Sequence, residues 1–313
     1  MKASLEKQQT RVSEARQWKR HKVALLMLLP ALVSVFIFNY LPLGGLVIAF
    51  KDFDILKGIW GSAWVGLDNF KQVFVQPEML RAIYNTLLYG IVITFGAFPF
   101  PIVLALLFNE LRNLKFKKVV QTVTYMPQFL SWISVVGLFY GLFAKEGSVN
   151  YMLQMIFGDG YVPKNILLDD KYFLSIIFWS HLWKSVGWSS IIFLAAITGI
   201  DTSLYEAATI DGCGKIKQTF YITLPSIRGT IVTVLVMSLG GLVTANFEQV
   251  YGFQNVFTQE NTETINTFIY RQGIQNGEYS LASAFGLSQG LVTIILILVA
   301  NFISKKLMDT SIW

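Results

Sequence analysis

Six long apolar runs dominate the chain, at about 23–50, 82–108, 119–143, 172–199, 229–247 and 282–303, with charged residues gathered between them. A helix needs roughly 20 mostly apolar residues to cross the ~30 Å hydrocarbon layer of a bilayer. The runs meet that length and are too long and too uncharged for core helices of a soluble domain. They predict an all-α fold, a polytopic membrane helical bundle of six transmembrane helices. Pro30, Pro99, Pro101 and Pro127 lie inside the runs. Proline is tolerated there when neighbours satisfy the freed backbone groups, so kinked helices are expected. A basic stretch precedes the first run, as in a leader peptide. The run is too long for one, and no small-x-small cleavage site follows promptly, so it reads as an uncleaved anchor.

The polar segments fall into two classes by charge. Segments 1–22, 109–118, 200–228 and 304–313 hold 16 basic and 7 acidic residues, whereas 51–81, 144–171 and 248–281 hold 8 and 12. Basic loops stay cytoplasmic, which places both termini inside. The net charge of +6 therefore reports topology and not nucleic-acid binding. The basic arm 1–22 (Lys2, Lys7, Arg11, Arg16, Lys19, Arg20 and Lys22) is expected to lie against anionic lipid. Residues 23–313 form the transmembrane domain. The chain is 54% hydrophobic and 14% charged, well short of the ~25% charge of soluble domains. The single cysteine, Cys213, excludes an intrachain disulfide. The outer segments 51–81 and 144–171 carry no large domain.

Segment 200–228 is too structured to be a mere connector. Ser203 and Glu206 have the spacing of a capping box, in which the hydroxyl and the carboxylate reciprocally satisfy free N–H groups. Asp211-Gly212 supplies a helix stop, with the glycine free to take a left-handed conformation. A second short helix is expected over 215–221, and Pro225 sets the approach to the fifth run. Such a helix-turn-helix either seats its apolar residues in a partner's groove or rests on the membrane surface.

Here the residues resemble a known family. Glu206-Ala207-Ala208-Thr209-Ile210-Asp211-Gly212, followed by Phe220-Tyr221-Ile222-Thr223-Leu224-Pro225, is similar to the "EAA" loop of binding-protein-dependent ABC importer permeases. Cys213 departs from the alanine common there. The resemblance implies a type I importer (MetI-like) core. It makes 200–228 the coupling helix, with Glu206, Ala207, Ala208, Asp211, Gly212, Leu224 and Pro225 as ATPase-coupling residues. Softer stretches, Phe38-Asn39-Tyr40-Leu41-Pro42, Val65-Gly66-Leu67-Asp68-Asn69-Phe70, Thr267-Phe268-Ile269-Tyr270-Arg271 and Tyr279-Ser280, resemble the maltose-type sugar branch, and within it LplB-like oligosaccharide permeases. The implied partners are a second homologous permease, two cytoplasmic ATPase subunits holding ATP and Mg, and an extracytoplasmic binding protein or lipoprotein. The implied location is the bacterial cytoplasmic membrane.

The chain itself offers no engine. Gly212-Cys213-Gly214-Lys215 mimics a phosphate loop. It lacks the earlier glycine, and Ile216 stands where Ser or Thr would meet magnesium. His21 and His181 are the two histidines and share no metal-ligand spacing. No nucleophile elbow is present. An enzyme is therefore not expected, nor a cofactor or metal in this chain.

Polar groups inside the apolar runs are the remaining candidates. Lys184, with Trp183, Trp188 and His181 around it, sits deep in the fourth run, where a charge is costly and must face the interior or a wet cavity. It reads either as a substrate-path contact or as a structural link. Asn246, Glu248 and Tyr251 end the fifth run. They read either as a gate for sugar or as an interfacial polar and aromatic belt. Gly286-x-x-x-Gly290 and Gly240-Gly241 fit close helix packing. Other solutes, such as an amino acid or a phosphate ester, remain as alternatives. An ion-coupled carrier usually shows buried acids and repeats. Glu248, at an edge, is the nearest approach to a buried acid here. A non-transport scaffold would leave the docking loop unexplained.

Overall fold

The computed structural model describes Lys22, residues 26–73 and residues 75–308. The arm residues Lys2, Lys7, Arg11, Arg16, Lys19 and Arg20 lie outside the described residues. Among the latter, extended pairing is confined to Lys51–Asp52 against Ala63–Trp64, antiparallel, on the 51–81 segment. Everything else is helix and connection.

Three helices are long and apolar enough to cross a bilayer unaided. They are α1 (Leu26–Phe50), α2 (Pro77–Glu110) and the stretch Tyr279–Val299 of the last helix. The first half of α1, through Tyr40, is exposed along its length, with Met27 and Phe38 at 77% and 74%, while its second half packs against the last helix. In water so large an apolar surface would be a liability, whereas lipid solvates it. α2 stays continuous through its prolines. A π-helical turn, Val92–Ala97, precedes the helical segment Pro99–Glu110, so the regular helical ladder is interrupted where Pro99 and Pro101 remove backbone donors.

The run 119–143, expected as one span, is broken. α3 (Leu114–Phe129) meets the helical stretch Trp132–Phe157 at 105°. Pro127 ends α3 in a tight turn, and Ser131 accepts from the Ser134 amide to start α4 (Trp132–Phe143). A proline stop beside a serine cap gives a corner where a kink was expected. α5 (Ser148–Phe157) follows, then the long α6 (Asp170–Thr198).

Segment 200–228 holds α7 (Thr202–Ile210) and the helical stretch α8 (Lys215–Ser226). α8 bends by 62° into α9 (Arg228–Val243). Short helices α10 (Phe247–Phe253) and α11 (Ile265–Tyr270) precede α12 (Tyr279–Met308). α6 packs along the second half of α2. Phe193 and Ile197 meet Ala105 and Ile227 in one buried cluster. A second cluster joins α4, α6 and α10 through Phe139, Phe173 and Phe253.

Glycine permits two very close approaches. A Cβ on Gly187 of α6 would overlap the Thr124 carbonyl of α3, and one on Gly90 of α2 would overlap the Leu242 carbonyl. The glycine pair chosen from spacing behaves differently. A Cβ on Gly286 or Gly290 would meet nothing within 4 Å, so these residues make no close packing inside this chain. Gly240 sits 3.4 Å from the Ile297 side chain by the same test.

Candidate functional site

The knuckle formed by α7 and α8 and a cavity walled by α2, α6 and α9 each bring polar side chains together.

The knuckle begins one residue after α6 and its Gly199. Asp201 caps α7 by accepting from the Ser203 amide at 2.9 Å. That bond, then the Ser203 hydroxyl, holds the Asp201 carboxyl below its usual range. The capping box expected at Ser203 and Glu206 does not form. The helix starts at Thr202, so Ser203 is already inside the first turn. The far end closes as expected from Asp211-Gly212. Gly212 lies at φ 75°. Its amide bonds Thr209 O at 3.1 Å, and the Cys213 amide bonds Ala208 O at 2.8 Å. This is the paired bonding of a Schellman stop, which satisfies the last carbonyls of the helix.

The two helices are then braced. The buried Gln218 donates to Thr209 Oγ1 and to Cys213 O, each at 3.0 Å. The Tyr205 hydroxyl pairs with Thr223 Oγ1 at 2.9 Å. Lys215 lies 3.7 Å from the Glu110 carboxylate at the end of α2. Buried Ile227 anchors the base. Glu206, Ala207, Asp211, Gly212 and Pro225 are exposed, while Ala208 and Leu224 are half-buried. Around them project apolar side chains with no cover in this chain: Ile210 is 87% exposed, Ile216 75% and Tyr221 77%. A rigid, braced element with uncovered large apolar residues has the features of a docking surface. The sequence reading missed Asp201, Gln218 and Tyr205. An aspartate directly before the helical run was a usable signal for the first.

The cavity has a volume of about 290 Å³. Its polar lining includes His181, Ser185 and Ser189 of α6 and Thr94, Ser238 and Asn246. The side-chain oxygen Oδ1 of Asn246 also caps α10, accepting from the Gln249 backbone amide at 2.9 Å. Gln249 is fully buried and donates to Ile177 O at 2.7 Å and Ser180 Oγ at 2.9 Å. α10 is thereby pinned to α6 beside the cavity.

The expected path residues separate into two groups. Lys184 turns away from the cavity. Its Nζ donates to the Gln128 carbonyl at 2.7 Å and lies 5.4 Å from the centre of the Trp132 ring. Both partners belong to the α3–α4 corner. Trp188 meets Phe129 edge-on at 5.6 Å, and Trp183 lies 6.4 Å from Phe139. Lys184, Trp183 and Trp188 thus face α3 and α4. Asn246 lines the cavity, Glu248 is exposed on the first turn of α10, and Tyr251 stacks on Phe247 at 5.2 Å. Among the described residues, no three His, Cys, Asp or Glu side chains come together as metal ligands would.

Comparison with known proteins bears on these two places. A family model described as a binding-protein-dependent transport system inner membrane component matches residues 78–309. Protein LplB of Bacillus subtilis (strain 168) is 40% identical over 289 residues, covering 92% of this chain and 90% of that one. The polygalacturonan/rhamnogalacturonan transport system permease protein YteP of the same organism is 39% identical over 294 residues, covering 94% and 91%. Among solved structures, a bacterial ABC transporter involved in the import of the acidic polysaccharide alginate contains a chain matching at TM-score 0.83. That chain is 36% identical, with 94% of this chain and 99% of that one covered. The bacterial alginate ABC transporter in complex with an alginate pentasaccharide-bound periplasmic protein matches at TM-score 0.85 and 35% identity, covering 95% and 99%.

Proposed function

The chain belongs to the binding-protein-dependent transport system inner membrane components, and from that membership we propose how it works as the permease subunit of an ATP-driven oligosaccharide importer. Six spans leave both termini in the cytoplasm. A second, similar permease completes the pathway. Two cytoplasmic ATPase subunits hold ATP and magnesium, and an extracytoplasmic binding protein delivers the sugar. Relatives named for polygalacturonan and rhamnogalacturonan transport and for alginate import support a carbohydrate cargo.

The observation that carries the mechanism is the braced knuckle with its uncovered Ile210, Ile216 and Tyr221. In this reading α7 is the coupling helix. Closure of the ATPase pair moves α7 as a unit, because the Schellman stop and the Gln218 and Tyr205 bonds prevent it from deforming alone. The short link through Asp201 passes the motion to α6, and the bend after Ser226 passes it to α9. Both helices wall the cavity, so its access changes with the state of the ATPase. Glu206 and Asp211 present carboxylates to the ATPase groove. Ala207 and Ala208 keep the approach close, Gly212 supplies the left-handed turn that ends α7, and Leu224 and Pro225 set the exit into α9. His181, Ser185 and Asn246 offer hydrogen bonds to sugar hydroxyls inside the cavity.

The test is a crosslink. With Cys213→Ser removing the single thiol, Ile210→Cys is expected to join an ATPase subunit in membranes of the assembled importer. It should do so with a yield that changes between nucleotide-free and ATP-bound states. Absence of any ATPase adduct from Ile210→Cys and Ile216→Cys in an assembled complex would overturn the role given to the knuckle.

A further inference from the structure

A second, shallower depression lies beside the cavity, walled by Phe247 of α10, Asn266 and Tyr270 of α11, and Tyr279 and Ser283 of α12, with a volume of about 520 Å³. Three aromatic rings contribute to it. Phe247 and Tyr270 stand 5.1 Å apart at 53°. Tyr251 buttresses both, stacked on Phe247 at 18° and meeting Tyr270 at 70°, each at 5.2 Å. Tyr279 is held from the other side by the Phe53 ring at 5.9 Å. Rings fixed from several directions keep their orientation without a ligand, which lowers the ordering cost of binding. Gly273 lets the groove wall close onto α12: a Cβ there would come within 2.9 Å of the Ala282 methyl.

The groove and the cavity share a wall. Asn266 donates to the Ala245 carbonyl at 2.8 Å, and Ala245 and Asn246 line the cavity while Phe247 lines the groove. The partition is therefore a single stretch of chain, 245–247. A rigid chain of linked sugar rings entering the cavity would extend naturally over this partition.

We infer that the groove is a ring-stacking subsite for an oligosaccharide, taking a sugar unit next to the one in the cavity. The inference rests on the reading of the chain as a carbohydrate permease. Its chemistry is on the walls. Aromatic faces match the C–H faces of a pyranose or furanose ring, and the amide of Asn266 and the hydroxyls of Tyr270, Tyr279 and Ser283 suit its rim. No charged side chain lines the groove among the described residues, so it reads ring shape and hydroxyls, and a carboxylate on the sugar gains nothing there. The consequence is selection by length. A chain long enough to fill both places is favoured over one that fills the cavity alone.

The experiment uses the complete importer in proteoliposomes with its binding protein. The probe is a partial hydrolysate of rhamnogalacturonan containing di-, tri- and tetrasaccharides, with imported products resolved by mass spectrometry. The readout is the ratio of tetrasaccharide to disaccharide imported. Tyr270→Ala and Phe247→Leu, the latter keeping apolar volume without a ring, are expected to lower that ratio about two- to tenfold, the scale of losing one aromatic contact. Tyr270→Phe, which keeps the ring, is expected to hold it within about twofold. An unchanged ratio in both ring-deleted variants, with import intact, overturns the inference. Equal loss at every length also overturns it, because that marks the rings as packing or as a protein-docking face. If the wild-type importer takes up no component of the mixture, and no other carbohydrate, the carbohydrate reading itself fails and the subsite with it.

Discussion

Replacing Gly212 by valine separates the backbone demand of the knuckle from its contacts. Gly212 lies at φ 75°, and a Cβ built there meets nothing within 4 Å. The added Cβ therefore meets no neighbour in this chain, and the effect comes from holding an L-residue in the left-handed region. That costs about 1–2 kcal/mol for an ordinary residue and is a true outlier for a β-branched one. A cost of that size changes a population ratio by a factor of about 5–30. The Schellman pair, from the Gly212 and Cys213 amides to Thr209 and Ala208, is what the strain loosens. The Gln218 brace on Cys213 O loosens with it. Asparagine tolerates this conformation far better than valine. The assay is ATP hydrolysis by the reconstituted complex, stimulated by substrate-loaded binding protein, with retention of the ATPase on the purified permease measured in parallel. Gly212→Val is expected to lose most stimulated hydrolysis, Gly212→Ala part of it, and Gly212→Asn little. Equal hydrolysis in the valine variant and the wild type would refute the reasoning, as would equal damage from asparagine and valine.

Three more expectations follow from named contacts. Lys184→Met leaves the Gln128 carbonyl without its 2.7 Å donor and should lower stability in detergent by roughly 1–3 kcal/mol. Thermal unfolding checks this, and sugar selectivity should stay as in the wild type. Gly187→Ala drives a methyl into the Thr124 carbonyl. It should destabilise by about 1–3 kcal/mol through overpacking, whereas an unchanged melting temperature would contradict the packing described. For Asp201 the folded carboxyl titrates below its ordinary value of 3.8, through the Ser203 amide bond first. Its stabilisation is thus present above the unfolded value and lost as pH falls through the lowered folded value. Asp201→Asn, which still caps, should retain coupled hydrolysis at neutral pH, and Asp201→Ala should reduce it, with the hydrolysis rate as the check.

The apolar runs carried the helical class because composition alone separates lipid-facing helices from soluble ones. The stop at Asp211-Gly212 was legible for a local reason: few other dipeptides end a helix so cheaply. The start was misplaced by two residues, since Asp201 and Ser203 are both good caps and only the backbone decides which one stands outside the helix. The corner at Pro127–Ser131 was read as a kink because the proline was seen without its serine partner. Lys184 was the least legible residue. Its acceptor is a backbone carbonyl 56 positions away at that same corner, and no side-chain pattern marks such a group. The groove of Phe247, Tyr270 and Tyr279 was invisible as a site because its rings come from three helices spread over the last quarter of the chain.

The central claim is that this chain opens and closes a path only when a separate ATPase works through the α7–α8 knuckle. The direct measurement is uptake of labelled oligosaccharide into proteoliposomes holding the permease pair, with and without the ATPase, binding protein and internal ATP. Uptake that needs all three, survives collapse of ion gradients and disappears with Gly212→Val is the predicted result. Uptake by the permeases alone, driven by an ion gradient and indifferent to ATP, would contradict it.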